Sequence, residues 1–257
     1  MFPSKKTQLN YVIKITELML LYSYRNKNKI DFKNLINNYC DIYRKTNLYN
    51  KNKSCFKANK EKVWKKIIDD LHRYSFFNKQ KYLNLSLKKL KPFFVKRVEE
   101  KINLTEYNLS AKYGCFNYSI IEKKIDLHMP VFQFINHKNF KKNYSYDEKF
   151  KMRAKDLLKL VKNVKKKYPK IKKIQMGSWL NEYKPFRSLF PKTWKPTKKE
   201  KKKNSIAWWG QFVRSDGNIN EDLYKKFKKN LKFKYKGKFY ECNVNELYNY
   251  LRAIEHG

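Results

Sequence analysis

DEKFKMRAKDLLKLVKNVKKKYP, residues 147–169, and KKIQMGSWL, residues 172–180, decide between an all-helical chain and one built on a sheet. In the first stretch Phe150, Leu157, Leu160, Val161 and Val164 recur at the helical period. Asp147 and Glu148 suit the positive end of a helix, and Lys165, Lys166 and Lys167 suit the negative end. Pro169 stops it, and the second stretch reads as a short strand. Upstream, IIEKKIDLHMPVFQF (120–134) reads as extended chain with polar and apolar residues partly alternating around Pro130. Strand, long helix, strand is the start of an α/β alternation.

Downstream the alternation continues. KPFRSLFP (184–191) is a helical turn bounded by prolines, SIAWWGQFV (205–213) a strand, and SDGN (215–218) a turn. A helix follows over 220–231, capped by Asn220 with Glu221 and Asp222 in its first turn. LKFKYKGKFYEC (231–242) reads as a hairpin through Lys236-Gly237, and NVNELYNYLRAI (243–254) as a last helix. Before residue 105 the period is helical throughout, over 8–25, 31–45, 59–77 and about 85–101; Val63, Ile67, Leu71 and Tyr74 mark the third of these. Pro92 is predicted to start or break the fourth. The expected fold class is α+β or α/β: a helical region, residues 1–105, packed on a mixed-sheet unit, residues 106–257.

Composition narrows the function classes. Cys40, Cys55, Cys115 and Cys242 form no CxxC pair, so neither a disulfide framework nor a zinc ribbon is indicated, and a reducing, cytoplasmic setting is expected. The apolar run YVIKITELMLLYSY (11–24) is broken by Lys14 and Glu17. It fits an amphipathic helix with Val12, Ile15, Met19 and Tyr22 on one face better than a signal peptide or a membrane span. The four histidines have no metal-ligand spacing, no metal is expected, and no cofactor is assigned.

Sixty-two basic residues against 22 acidic ones give a net charge of +40, the footprint of a partner rich in phosphate or of a lysine-coated surface. Of the basic residues 54 are lysine and 8 arginine; asparagine reaches 27 while alanine falls to 5 and glycine to 6. AT-rich coding favours that vocabulary, although acidic residues, also AT-coded, have not risen with lysine. Residues that resist the drift therefore carry information. Trp179, Trp194, Trp208 and Trp209, with Gly177, Gly210 and Gly217 and with Arg187 and Arg214, fall between residues 177 and 217.

Candidate ligand-binding residues follow from that cluster and from the strand ends: His128, Ser178, Trp179, Arg187, Trp209, Gln211, Arg214 and Asp216. His128 sits two residues from Asp126 on one face of its strand, where it could act as a general base or as a satisfied sheet histidine. Ser178 follows a glycine but lacks the second glycine of a nucleophile elbow, so a hydroxyl bonding to local backbone is the favoured reading. In a strand, adjacent Trp208 and Trp209 face opposite sides, so either helices cover both faces of the strand or one indole lines a pocket with Gln211, Arg214 and Asp216 at the strand end. Arg187 and Arg214 offer planar two-pronged donors that lysine cannot reproduce; for Arg187 a structural carboxylate or carbonyl is expected, and for Arg214 either that or a ligand. KPTKKEKKKN (195–204) reads as a solvated loop that could steer a phosphate-bearing ligand or RNA.

LHMPV, GSWLNEYKPFRSLFP and WWGQFVRSDGNIN together resemble a family of bacterial proteins with no assigned activity, over roughly residues 115 to 255. More distantly, an LH strand, a long helix and an SWL strand look like the C-terminal half of GNAT-type acyltransferases. That resemblance implies acyl transfer from acyl-CoA to an amine or hydroxyl. The glycine-containing pyrophosphate loop expected before the long helix has no counterpart in INHKNFKKNYSYDE (135–148). The function expected is an acyltransferase-like or small-ligand-binding protein; the alternative is an RNA- or ribosome-associated basic protein.

Overall fold

A computed structural model describes residues 4–49, 61–100, 113–129, 144–197, 206–214 and 218–256, with the backbone alone for 206–208. It is an α+β protein. Helices α1 (Lys5–Asn26), α2 (Phe32–Asn34), α3 (Lys62–Tyr74) and α4 (Lys79–Glu99) precede the sheet. Then come β1 (Asn117–Ile121), β2 (Lys124–His128), α5 (Tyr146–Lys167), β3 (Lys173–Ser178) and α6 (Lys184–Arg187). The chain ends with β4 (Lys195–Pro196), α7 (Glu221–Asn230), β5 (Lys238–Asn243) and α8 (Val244–His256). The strand order is β1-β2-β3-β5-β4. β2 and β3 run parallel across the α5 crossover, and the other described pairings are antiparallel.

The sheet half follows from its sequence in most places. Ser145 caps α5 by accepting from the Glu148 N–H, and Glu148 reaches back to the Ser145 N–H at 2.6 Å, a capping box. Asn220 caps α7 by accepting from the Leu223 N–H. Gly177 is needed because the Phe239 ring of β5 lies over it; a Cβ there would stand 2.6 Å from the ring.

Four expectations are corrected. SIAWWGQFV is not a strand: residues Ile206–Phe212 form a 3₁₀ helix. Its three-residue period places Trp209 and Phe212 on one face, and both are buried there, whereas alternation in a strand would have split them. LKFKYKGKFYEC is not a hairpin, because only Lys238–Asn243 is extended, and β5 pairs with β3 and β4 instead. Pro92 neither starts nor breaks α4 but sits inside it. Its ring is exposed, and the carbonyl it deprives of a donor, that of Lys88, lies on the solvent side where water can serve. Residues 31–45 are not one α-helix. α2 continues as a π-helical turn, Leu35–Cys40, then Asp41 takes a left-handed conformation and a 3₁₀ turn follows, Ile42–Lys45.

The stretch read as extended from residue 120 begins inside a hairpin, near the end of β1, and the second strand of that hairpin ends at His128; residues 130–134 lie outside the described ones. Its two-residue turn holds Glu122 at φ 50° and Lys123 at φ 58°. Both angles are positive, the geometry of a type I′ turn, which normally recruits Asn-Gly. The left-handed region costs a residue with a Cβ about 1–2 kcal/mol, while glycine gives back about 0.5–1 kcal/mol in unfolded-chain entropy. Lys123→Gly is therefore expected to raise the melting temperature by a degree or two, and Lys123→Val to lower it. A thermal melt in which glycine destabilises would contradict this account of the turn.

Two apolar cores result. One is lined by α5, α6, α8 and the apolar sheet face, with Ile125, Leu127, Leu157, Val161, Ile174 and Leu247 among its buried members. The other gathers α1, α3 and α4 through Val12, Ile15, Trp64, Ile67, Leu71 and Phe94, and it also takes in Trp209, Phe212, Tyr224 and Phe227. The helical core thus draws on residues from both sides of position 105. No helix among the described residues is long and apolar enough to cross a membrane.

Candidate functional site

The sheet face turned away from its apolar core is polar. Pairing of Asn117 with His128 and of Ser119 with Asp126 puts these side chains on that face, opposite buried Ile125 and Leu127. His128 is the last residue of β2, at the carboxyl end of the parallel pair. Its Nε2 lies 2.8 Å from the Ser119 Oγ and 3.9 Å from the Asp126 Oδ2. Gln175 of β3, itself buried, reaches Asp126 Oδ1 with its amide at 3.4 Å. The next row along is ionic: Glu241 accepts from Lys124 at 2.7 Å and pairs with Lys173 at 3.4 Å. The Lys124 hydrogen bond holds the Glu241 carboxyl below its usual range, against the opposing effect of burial.

Serine, histidine and aspartate together invite comparison with a nucleophilic triad, and the geometry does not fit one. A triad needs the carboxylate on Nδ1 and the hydroxyl on Nε2, so that the acid fixes the tautomer that activates the serine. Here both partners approach the same nitrogen. The arrangement instead offers one imidazole, partly exposed at a strand end, as a proton acceptor or hydrogen-bond partner for something arriving from outside.

A second cluster joins the two cores. Trp179 stacks on Tyr235 with centroids 5.5 Å apart and planes 27° apart. Gln211 holds the Tyr235 backbone at both ends, donating to its carbonyl at 3.2 Å and accepting from its N–H at 3.2 Å. Glu182 accepts from the Lys236 N–H at 2.6 Å and from the Lys238 ammonium at 2.9 Å. Gly210 abuts this cluster; a Cβ there would come within 3.2 Å of the Trp179 indole nitrogen.

No family model, curated protein or solved structure matches the chain. The candidates named from sequence therefore stand on their placement. Ser178 is buried and its hydroxyl accepts from the Leu180 N–H at 3.2 Å, a local backbone cap. Trp209 points into the helical core, and its indole donates to the Tyr39 carbonyl at 2.8 Å. Arg187 is exposed at the end of α6, and its guanidinium meets no hydrogen-bond or ion-pair partner among the described residues, so the structural contact expected for it is not there. Arg214 is exposed, with its N–H donating to the Asn218 carbonyl at 2.8 Å. Asp216, the loop over 198–205 and the Trp208 side chain lie outside the described residues.

Of the eight candidates, Trp179 and Gln211 meet at the junction, while His128 stands apart on the sheet. Ser119 and Gln175 went unread because their place beside His128 and Asp126 depends on strand register, which the turn at 122–123 sets. Among the described residues no group of three or more histidine, cysteine, aspartate or glutamate side chains could hold a metal ion.

Proposed function

We propose that this chain is a cytoplasmic, acyltransferase-like small-ligand-binding protein whose site lies at the carboxyl ends of β2 and β3. The observation that carries the reading is the parallel β2–α5–β3 crossover within a sheet whose other described pairings are antiparallel, with His128 at its open end. Ligands of open sheets collect outside the carboxyl ends of parallel strands, because loops diverge there and leave a crevice. The strand, long helix, strand order supports the acyltransferase resemblance.

In acyl transfer an amine or hydroxyl attacks the acyl carbonyl, loses its proton and displaces the donor's leaving group, which departs with the bonding pair. His128 would take that proton, exchanging its contact with Ser119 for one with the acceptor. The residues present do not fit a pyrophosphate at the start of α5. Ser145 and Glu148 already engage N–H groups at that end, and the Asp147 and Glu148 carboxylates repel phosphate. A coenzyme A donor is therefore no part of the proposal.

A thermal-shift screen of acyl thioesters, carboxylates and amines is expected to yield ligands whose shift is lost in His128→Ala and reduced in Ser119→Ala, yet kept in Arg187→Lys. Shifts that survive in His128→Ala would place the site elsewhere, and a screen with no shift would overturn the reading.

A further inference from the structure

The turn between α3 and α4 presents aromatic rings where aromatic rings are costly. Phe76 is 76% exposed and Phe77 38%. They do not lie loosely. The Phe32 and His72 rings stack at 5.0 Å and 22°, and the His72 and Phe76 rings follow at 5.3 Å and 43°, so a column of rings rises from the buried Phe32 and ends on Phe76 at the surface. Tyr24 donates its hydroxyl to the Phe77 carbonyl at 3.0 Å, and the Lys27 ammonium donates to the Ser75 carbonyl, which fix the turn against the end of α1.

The surroundings are cationic. Lys81 sits over the Phe77 ring at 4.1 Å and Lys27 over the Tyr24 ring at 4.2 Å; Arg73 and Lys79 are exposed on either side of Phe76 in the chain, and Lys29 is exposed two residues beyond Lys27. The carboxylates of this end are already engaged: Asp69 with Lys33 at 3.7 Å, Asp70 with Arg73 and with Lys89 at 2.8 Å, and Asp31 as the cap of α2. An exposed aromatic turn flanked by ammonium groups complements a planar base on a phosphate backbone.

We infer that the α3–α4 turn is a contact surface for single-stranded nucleic acid, with Phe76 stacking a base and Lys29, Lys79 and Lys81 meeting phosphates. The ordered ring column favours this partner over a lipid surface: it ends on an exposed aromatic ring rather than on aliphatic bulk, and the exposed polar residues Asn78 and Gln80 follow it in the chain. The inference is independent of the His128 site.

The test is fluorescence anisotropy of the full chain with oligo-U and oligo-dT of about 12 nucleotides, within the usual site sizes, and with a duplex of equal length. Phe76→Ala is expected to weaken single-strand binding about tenfold without moving the melting temperature, while Phe76→Trp retains it. Lys79→Gln with Lys81→Gln is expected to flatten the salt dependence by about 0.7 in log–log slope for each phosphate no longer neutralised. Equal binding by wild type and Phe76→Ala would overturn the inference, since the lysine coat alone would then account for affinity. So would a Phe76-dependent affinity for phosphatidylserine vesicles with none for the oligonucleotides.

Discussion

Asn181→Asp is expected to cost about 4 kcal/mol of stability, although the side chain keeps its shape. Asn181 has no solvent exposure, and its amide donates to the Met176 carbonyl at 2.8 Å and to the Lys238 carbonyl at 2.9 Å. Its own oxygen accepts from the Trp194 indole at 3.2 Å. One side chain thus ties β3, the start of β5 and the loop carrying Trp194, whose ring stacks on Phe190 at 4.2 Å. Aspartate would preserve the contact with Trp194 and face two carbonyls with an oxygen. Each buried carbonyl left without a donor costs about 1–3 kcal/mol.

The variant should also invert the usual pH behaviour of a carboxylate. Burial beside two carbonyl oxygens disfavours the ionised form, so its pKa in the folded state lies above the unfolded value. Stability is then retained below the unfolded pKa and lost as pH rises through the folded one. Urea titrations at pH 5 and pH 8 are expected to show a larger deficit against wild type at pH 8. A loss below about 1 kcal/mol at both would show that the three hydrogen bonds are not a unit.

Trp209→Ala is expected to cost about 3–5 kcal/mol, the range for truncating a buried tryptophan. The indole sits edge-on to Phe227 at 5.7 Å, to Phe233 at 5.1 Å and to Tyr22 at 6.0 Å. Trp209→Phe keeps most of the ring area but leaves the Tyr39 carbonyl without its donor, so a smaller loss of about 1–3 kcal/mol is expected. Circular dichroism melts of both variants check the order. A Trp209→Ala protein as stable as wild type would mean that the ring lines a cavity rather than filling a core.

Trp209 and Asn181 mark the reach and the limit of reading this chain from its letters. The lysine-heavy vocabulary made tryptophan visible, but the constraint on Trp209 is packing rather than ligand binding. Asparagine is one of the residues the same drift favours, so Asn181 could not stand out although it is fully buried and makes three hydrogen bonds. Helices α5, α7 and α8 and strand β3 were legible because period, caps and Pro169 agreed. The 3₁₀ segment was not: tryptophan, phenylalanine and valine suit strands, yet among the described residues only Val213 of this stretch makes a β-bridge, to Ile219. Nor was the register that assembles Ser119, His128, Asp126 and Gln175, because Glu122-Lys123 carries none of the residues that usually announce a turn with positive φ.

The return of residues 209–233 to the helical core has a consequence for how the protein is made. Besides Trp209 on Tyr39, Lys14 pairs with Glu221 across 207 positions, and Glu17 meets both Tyr224 and Lys228. During synthesis α1, α3 and α4 leave the ribosome long before the segment that covers Tyr22 and closes their core. In the interval they present an apolar surface that neighbouring chains can bind. The Lys14 and Glu17 contacts close loops of more than 200 residues, which makes them slow to form. The N-terminal helices therefore wait on residues 209–233, and a chain cut before residue 206 would leave them open although every residue they contain was present.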